Sequence, residues 1–165
     1  MKRLAVLIGL VFVTFAFPLA GQVKYGATVI ADKATDFTKL KTYTWQSGWD
    51  ANDRKVHAQI VSAIDKELKS LGFELKTSGP SDVIVKYAAL RRIDVQADVK
   101  GDATTPRNQL DVGSLLVLML DPASKKELFR GRVDKPIEAD PAQLTTLINS
   151  AVADLFAKYP TRVKK

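Results

Sequence analysis

An alternation of apolar and polar residues over positions 82–99 constrains the fold more than any other feature of this sequence. The odd-numbered positions are mostly apolar: Val83, Val85, Tyr87, Ala89, Ile93, Val95, Ala97 and Val99. The polar residues are mostly at even-numbered positions: Lys86, Arg92, Asp94, Gln96 and Asp98. Because successive side chains of a strand point to opposite faces, this pattern predicts a sheet with one buried face. A straight strand of that length would measure roughly 56 Å, too long for one small domain. We therefore expect a bend or break at Arg91, because this residue puts a charge among the otherwise apolar odd-numbered positions.

The stretch before this strand has the spacing of an amphipathic helix. Its apolar stripe consists of Val56, Ile60, Val61, Ile64, Leu68 and Leu71, whereas Asp65, Lys66 and Lys69 are expected to point away from it. Asn52 or Asp53 can cap the first turn. Gly72 can end the helix, because a left-handed residue after the last turn is least costly for glycine. The stripe is predicted to pack on the sheet.

A hairpin and a second helix follow the alternating strand. The hairpin comprises an unbroken apolar run (Leu115 to Leu120), a turn (Asp121 to Lys126) and a partner strand through Leu128, Phe129 and Val133. An unbroken run is typical of a central strand covered on both faces. The helix has Asp140, Pro141 and Gln143 at its start, a stripe of Leu144, Leu147, Ile148, Ala151, Leu155 and Tyr159, and Pro160 as its end.

The remaining segments complete an α+β pattern. Val23 to Ala31 predicts a first strand, and a second contains Lys41, Tyr43 and Trp45 on one side with Thr42 and Thr44 on the other. Residues 99–113 have the Gly, Pro, Asn and Asp content of a loop. The order of elements predicts a two-layer sandwich, a mainly antiparallel sheet with two helices packed on one face.

The N-terminus has the three parts of an export signal. Lys2 and Arg3 are followed by an apolar stretch from Leu4 to Phe17 and by the small residues Ala20 and Gly21. We expect a cleaved signal peptide over residues 1–21 and a periplasmic protein. The alternative is an uncleaved anchor, since the apolar segment approaches the length that spans a bilayer. Gln22 stands where a lipoprotein would carry its lipidated cysteine, and a chain with 0 cysteines carries neither a thioether lipid nor a disulfide.

Length and charge limit the remaining possibilities. The chain of 165 residues is expected to form a signal peptide (1–21), one α+β domain (22–160) and a basic tail (161–165). Its 25 Lys and Arg exceed its 18 Asp and Glu, for a net charge of +7. In a cytosolic protein that excess would indicate nucleic acid. Export argues against nucleic acid as a partner and leaves solubility or weak attraction to anionic envelope surfaces.

Four segments resemble, in order, the bacterial DUF4136 family: Asp36 to Trp45, Ile60 to Leu75, Ser81 to Tyr87 and Leu115 to Val133. The most specific matches are Asp36, Phe37, Lys41, Thr42, Tyr43, Trp45, Gly72, Phe73, Asp121, Arg130 and Gly131. The resemblance implies a Gram-negative envelope protein, often a lipoprotein, without established catalytic activity. The chain departs from the family at Phe129, where tryptophan is common, and at Gln22, where lipidated members have cysteine.

No catalytic, cofactor or metal site is expected from the residue inventory. His57 is the only histidine, and it falls near the start of the first helix with neither an evident nucleophile nor an orienting acid. Asp94, Gln96 and Asp98 imitate the start of a calcium loop but lack its glycine and late glutamate. Glycine-rich phosphate loops are absent, since Gly101 and Gly113 are isolated. We therefore expect His57 to pack at the boundary between helix and sheet.

Two motifs leave alternatives open. Tyr43 and Trp45 beside Lys39 and Lys41 predict either a surface that stacks on a sugar or lipid headgroup, or aromatic packing under the first helix. In a regular strand, Arg130 and Arg132 would point to the same face as the apolar Leu128. Either these arginines lie at the sheet edge, or the strand has a bulge at Gly131.

These observations favour a non-enzymatic envelope protein that binds an unknown envelope protein or component. The alternative is a carrier or chaperone for an apolar ligand held between the helices and the sheet. A hydrolase is disfavoured because the sequence supplies one histidine and no second catalytic group at a recognisable spacing.

Overall fold

A computed structural model describes residues 25–96, 108–137 and 141–162. Six strands and two helices lie within these ranges: β1 Gly26–Ala31, β2 Thr42–Trp45, α1 Arg54–Ser70, β3 Glu74–Leu75, β4 Val83–Gln96, β5 Asn108–Leu120, β6 Glu127–Pro136 and α2 Pro141–Phe156. The predicted signal peptide (1–21), residues 23–24 of the predicted first strand, the first part of the predicted loop (99–107), the cap at Asp140 and residues 163–165 of the tail lie outside the described residues.

The strands form one mixed sheet in the order β1-β6-β5-β4-β2-β3. The β1–β6, β6–β5 and β5–β4 pairs are antiparallel, and β2 pairs in parallel with both β4 and β3. Both helices pack on the same face, which we call the helix face. There Tyr87 of β4 contacts His57 of α1, and Phe129 of β6 stacks on Phe156 of α2. The predicted two-layer α+β sandwich is confirmed.

The first helix has the predicted ends. Asp53 is the N-cap, and its Oδ1 accepts hydrogen bonds from the amides of Lys55 at 2.7 Å and Val56 at 3.1 Å. Gly72 follows the last turn with a φ of +86°, the left-handed conformation that favours glycine. The buried stripe includes Ile60, Ile64 and Leu68. Local sequence thus suffices to place this helix.

The predicted irregularity at Arg91 is wrong. Strand β4 runs without a break and pairs in register with β5 from Ile84 to Gln96. A strand of 14 residues extends about 46 Å, whereas a helix of 17 residues extends only about 26 Å. The sheet therefore continues past the helix layer. Arg91 is tolerated there because it is exposed and pairs with Asp111, and Ile93, expected to be buried, is exposed for the same reason.

Strand β5 differs from its prediction in where it begins and in how its two faces are covered. It is central, as expected, but it begins at Asn108, so residues 108–113 are strand rather than loop. Both helices lie on one face of the sheet, so no described helix covers the other face of the apolar run, and the expected coverage of both faces is wrong for the described residues. The opposite face is called the open face below.

The bulge in β6 lies away from the predicted position. Met119 pairs with Phe129 and Leu120 with Glu127, so the extra residue is Leu128, while Gly131 stays in register with Val117. Strand β6 is also interior, since β1 covers its outer side. Both explanations offered for Arg130 and Arg132 are therefore wrong. These arginines are exposed because they lie on the open face.

The end of α2 was also misplaced. The helix ends at Phe156, and turns then carry the chain to Arg162. Tyr159 is nevertheless buried and contacts the rings of Phe37, Phe73 and Phe129. The aromatic cluster therefore closes the core at the C-terminal ends of both helices.

Candidate functional site

The aromatic motif at β2 is part of the core. The Tyr43 hydroxyl donates to Asp65 Oδ1 at 2.6 Å, and Trp45 Nε1 donates to the same oxygen at 2.9 Å. Asp65, expected to point away, is instead the acceptor on α1 that fixes both rings. Burial, aided by the bond to Asp65, raises the pKa of Tyr43. Because Lys39 and Lys41 are exposed, the motif contributes packing inside and charge outside, as the structural alternative predicted.

His57 lies at the boundary between helix and sheet, as predicted. Its Nδ1 is 2.6 Å from the Tyr87 hydroxyl, and that oxygen also accepts the Ala51 amide at 3.1 Å. Burial raises the pKa of Tyr87. The histidine thus links the start of α1 to the sheet through Tyr87, and this contact occupies the ring nitrogen that faces the protein.

Asp94 belongs to a network of ion pairs on the open face. Arg92 contacts Asp94 and Asp134, each at 2.8 Å, and Arg132 contacts Asp134 at 3.0 Å. Partial burial by itself would raise the pKa of Asp134, but hydrogen bonds from Arg132, Ser114 and Arg92 outweigh it and lower the pKa to about 2. Within the described ranges, no three His, Cys, Asp or Glu side chains form a group able to hold a metal ion.

The apolar centre of the open face is its main feature. Trp49, Ile30 and Leu90 are 75%, 63% and 57% exposed. Trp49 forms an isolated parallel bridge with Ala88, which places the indole on the same face as Ala88. Leu116 of β5 lies beside them and is half-buried. These five residues are called the open-face patch.

A shallow groove runs through this patch. It has a volume of about 420 Å³ and is bounded by Arg130 and Arg132 as well as by the patch. Arg130 pairs with Glu127 at 2.5 Å, and Arg132 pairs with Asp134. The rim therefore carries both signs of charge around an apolar floor.

A second concavity lies between the helices and the sheet. This cavity, of about 560 Å³, occupies the end where the sheet extends past the helix layer. Val56 and Ile60 of α1, Leu147 and Ile148 of α2, and Leu115 of β5 line it. Its wall is largely apolar.

Two cations stand among the residues that line the cavity, Arg91 and Lys135. Arg91 binds Asp111 through Nε at 3.2 Å and Nη2 at 2.5 Å. Lys135 Nζ lies 2.7 Å from Asp154 and 3.1 Å from Ser150 Oγ. Asp111 and Asp154 are not among the lining residues, so the cavity is bordered by the two cations but not by their acidic partners.

Sequence reasoning missed the groove on the open face, and it offered a ligand space between the helices and the sheet only as an alternative, without identifying its lining residues. Trp49 was not singled out, although it lies in a segment rich in Gly, Ser and Asp, where an aromatic residue is a recognisable signal. The unbroken apolar run of β5 was the other signal, because it predicts a covering for the second face. Nothing in the local sequence indicates the cavity, which exists only because two helices end short of the sheet.

Two comparisons with solved structures agree with this fold. A PDZ domain protein from Parabacteroides distasonis superposes with a TM-score of 0.60 at 14% identity, over 86% of this chain and 36% of that protein. The chain thus spans about a third of that protein's length. A PelC dodecamer from Paraburkholderia phytofirmans superposes with a TM-score of 0.56 at 9% identity, over 86% of this chain and 100% of that one. At such identities the likeness concerns the fold alone.

Sequence comparison places the chain in a family. No functionally curated protein matches it. Among residues 25–96, 108–137 and 141–162, no helix has the length and apolar character needed to cross a membrane. A family model described as a domain of unknown function matches residues 29–161, which include every described strand except the start of β1, and both helices. The chain therefore belongs to the DUF4136 family, as its motifs predicted.

Proposed function

We propose that this protein is a non-enzymatic module of the bacterial envelope that binds a protein partner on the open face of its sheet. The observation that carries the proposal is the open-face patch, with Trp49, Ile30 and Leu90 all more than half exposed. Large contiguous apolar patches are uncommon on monomeric soluble proteins, and where they occur they mark interaction sites.

The pattern of β5 supports this reading. An antiparallel strand with one solvated face usually alternates apolar and polar residues. Residues 115–120 of β5 are all apolar, yet the helices cover only one face. Burial of apolar surface contributes roughly 25 cal/mol per Å², so covering Leu116 and its neighbours stabilises the complex with a partner.

The envelope location follows from the N-terminal segment. Residues 1–21 have the basic, apolar and small-residue order of an export signal, and Gln22 offers no sulfur for a lipid. We propose that cleavage near Gly21 releases the domain into the periplasm. A protein without a lipid anchor depends on its own surface for attachment to the envelope, which fits an exposed binding face.

The proposal of a non-enzymatic role rests on the contacts of the titratable residues. His57 is engaged by Tyr87, and Asp65 is engaged by Tyr43 and Trp45. Asp94 and Asp134 are held by arginines. Each of these groups has a stabilising partner and a place in the packing, whereas a catalytic base needs a nucleophile within hydrogen-bond reach.

A second copy of this chain is the partner to test first. The rim of the groove carries Arg130 and Arg132 together with Glu127 and Asp134, so two such faces can offer each other complementary charges. One structure that shares this fold is a PelC dodecamer, an assembly of identical chains. The same fold thus supports self-association in at least one other protein.

Site-specific photo-crosslinking in intact cells tests this proposal. A photoreactive phenylalanine at Leu90 should crosslink a protein partner, whereas the same residue at Ser62, exposed on α1, should not. A crosslinked mass equal to two chains identifies self-association, and any other mass identifies a different partner. Equal crosslinking at both positions, or none at Leu90, would contradict the open-face site. A Leu90→Asp variant should abolish the partner's co-purification while leaving thermal unfolding within a few degrees.

The second candidate function is a carrier for an apolar ligand, and the cavity between helices and sheet favours it. Its volume of about 560 Å³ falls within the range of roughly 300–1,000 Å³ that is typical of small-molecule sites. Native mass spectrometry of protein purified without detergent tests this function. A carrier should retain a ligand, and a single peak at the mass of the chain alone would oppose it.

A further inference from the structure

We infer that the cavity between the helices and the sheet selects a single acyl chain that bears an anionic head. This inference rests on the second candidate function, because it specifies the ligand that a carrier would hold. Two observations carry it: the apolar wall and the placement of two cations among the lining residues.

The wall of the cavity suits a hydrocarbon chain. Val56 and Ile60 approach from α1, and Leu144, Leu147 and Ile148 approach from α2. The β-strands supply Leu115 and Val133 as a floor. Hydrocarbon gains most from such a wall because apolar surface leaves water on both sides of the contact.

The cations determine which head the cavity accepts. Asp111 uses the Nε and Nη2 atoms of Arg91, so the guanidinium retains further N–H donors. Lys135 has three N–H donors, and Asp154 and Ser150 account for two contacts. Each side chain therefore keeps at least one donor for a carboxylate or phosphate without breaking its ion pair.

Acidic groups on the wall do not oppose an anionic head. Among the described residues that line the cavity, Asp53 is the only acid, and its Oδ1 accepts the amides that begin α1. The carboxylates of Asp111 and Asp154, which bind Arg91 and Lys135, are not among the lining residues. The lining thus has two positive groups and one engaged negative group, so a cationic head is disfavoured.

Isothermal titration of the delipidated full chain with four single-chain probes tests the inference. Oleate and lysophosphatidylglycerol carry anionic heads, monoolein is neutral and oleylamine is cationic. We expect oleate or lysophosphatidylglycerol to bind about tenfold more tightly than monoolein, the effect of one or two charge-assisted hydrogen bonds, and oleylamine to bind most weakly. Comparing the two anionic probes assigns the head to a free fatty acid or to a lysophospholipid.

Variants assign the selectivity to the named cations. In R91Q/K135Q the affinity for the anionic probes should fall about tenfold, while that for monoolein stays unchanged. R130Q, which removes the same kind of charge from the open face, should bind all four probes as the wild type does. The comparison among probes stands on the wild type alone if the double variant does not fold.

The outcomes distinguish a failure of the head-group selectivity from a failure of the carrier function. Equal affinity for oleate and monoolein, or an unchanged preference in R91Q/K135Q, overturns the selection of an anionic head and leaves the carrier function standing. No binding of any probe overturns both. Neither result affects the open face, whose test is crosslinking at Leu90.

Discussion

Gly131→Ala should destabilise the protein because a methyl group has no room beneath α2. Gly131 lies on the helix face of β6, opposite Val117 of β5. A Cβ atom at this position would lie 2.5 Å from Leu155 Cγ and 2.8 Å from Leu155 Cδ1, against the 3.4–4 Å of ordinary contact. Leu155, or α2 as a whole, would therefore have to move by about 1 Å.

The magnitude follows from how tightly Leu155 is held. Leu155 is fully buried, as are its neighbours Phe129 and Phe156, whose rings stack at 6.1 Å. Adding one carbon to a filled core usually costs about 1–3 kcal/mol. Because the clash involves the branch point of Leu155 rather than the end of a flexible chain, we expect about 3 kcal/mol. In a domain of this size that loss lowers Tm by roughly 10 °C.

Urea unfolding followed by circular dichroism measures this loss, with Gly113→Ala as the matched control. A Cβ at Gly113 would lie 3.3 Å from the side chain of Ile137, which is only partly buried, so the control should cost less than about 1 kcal/mol. A cycle with Leu155→Ala adds a second test. Leu155→Ala alone should cost about 2–5 kcal/mol, and the double variant should lose at least about 1 kcal/mol less than the sum. Wild-type stability in Gly131→Ala, or strict additivity in the cycle, would refute the steric argument.

Three further predictions test packing, charge and processing. Trp45→Ala removes a ring packed on Tyr43 and its bond to Asp65, so the free energy of unfolding should fall by about 3 kcal/mol in urea, whereas unchanged unfolding would make the motif a surface feature. Asp134→Asn should cost at most about 2 kcal/mol at pH 7. Because the pKa of Asp134 is lowered from 3.8 to about 2, the difference in unfolding free energy between wild type and variant should fade as the pH drops from about 3.8 to about 2. A difference that does not change with pH would contradict stabilisation by the ionised carboxylate. Gln22→Cys should add a lipid mass and move the protein to the membrane fraction, and a soluble variant would mean that the segment is no relic of a lipoprotein signal.

The helix α1 was predictable almost residue by residue. Its apolar stripe, its cap at Asp53 and its end at Gly72 depend on neighbours within one or two turns. The turn from Asp121 to Lys126 was predictable for the same reason, since Asp121 Oδ1 accepts the amides of Ala123 and Ser124.

The partners of the polar side chains were not predictable from the same patterns. Asp65 looked like a solvated residue of α1 but accepts from Tyr43 and Trp45, which are 22 and 20 positions away. The misplaced break at Arg91 has a similar origin. A charged residue among apolar positions of a strand suggests an irregularity. A regular strand tolerates Arg91 because the sheet continues past the end of the helix layer, where the side chain is exposed.

The sequence by itself determined both helices, most of the strands, the one-sided pattern of β4, and the family to which the chain belongs, because periodicity, caps and motifs are written in neighbouring residues. Tertiary structure alone decided that the sheet continues past the helix layer, that the patch around Trp49 stays exposed, and that a cavity opens beside Arg91 and Lys135. These features depend on the relative lengths of the sheet and the helices and on contacts between distant segments. Local patterns carry no information about either, because the same stripe can pack against any complementary face.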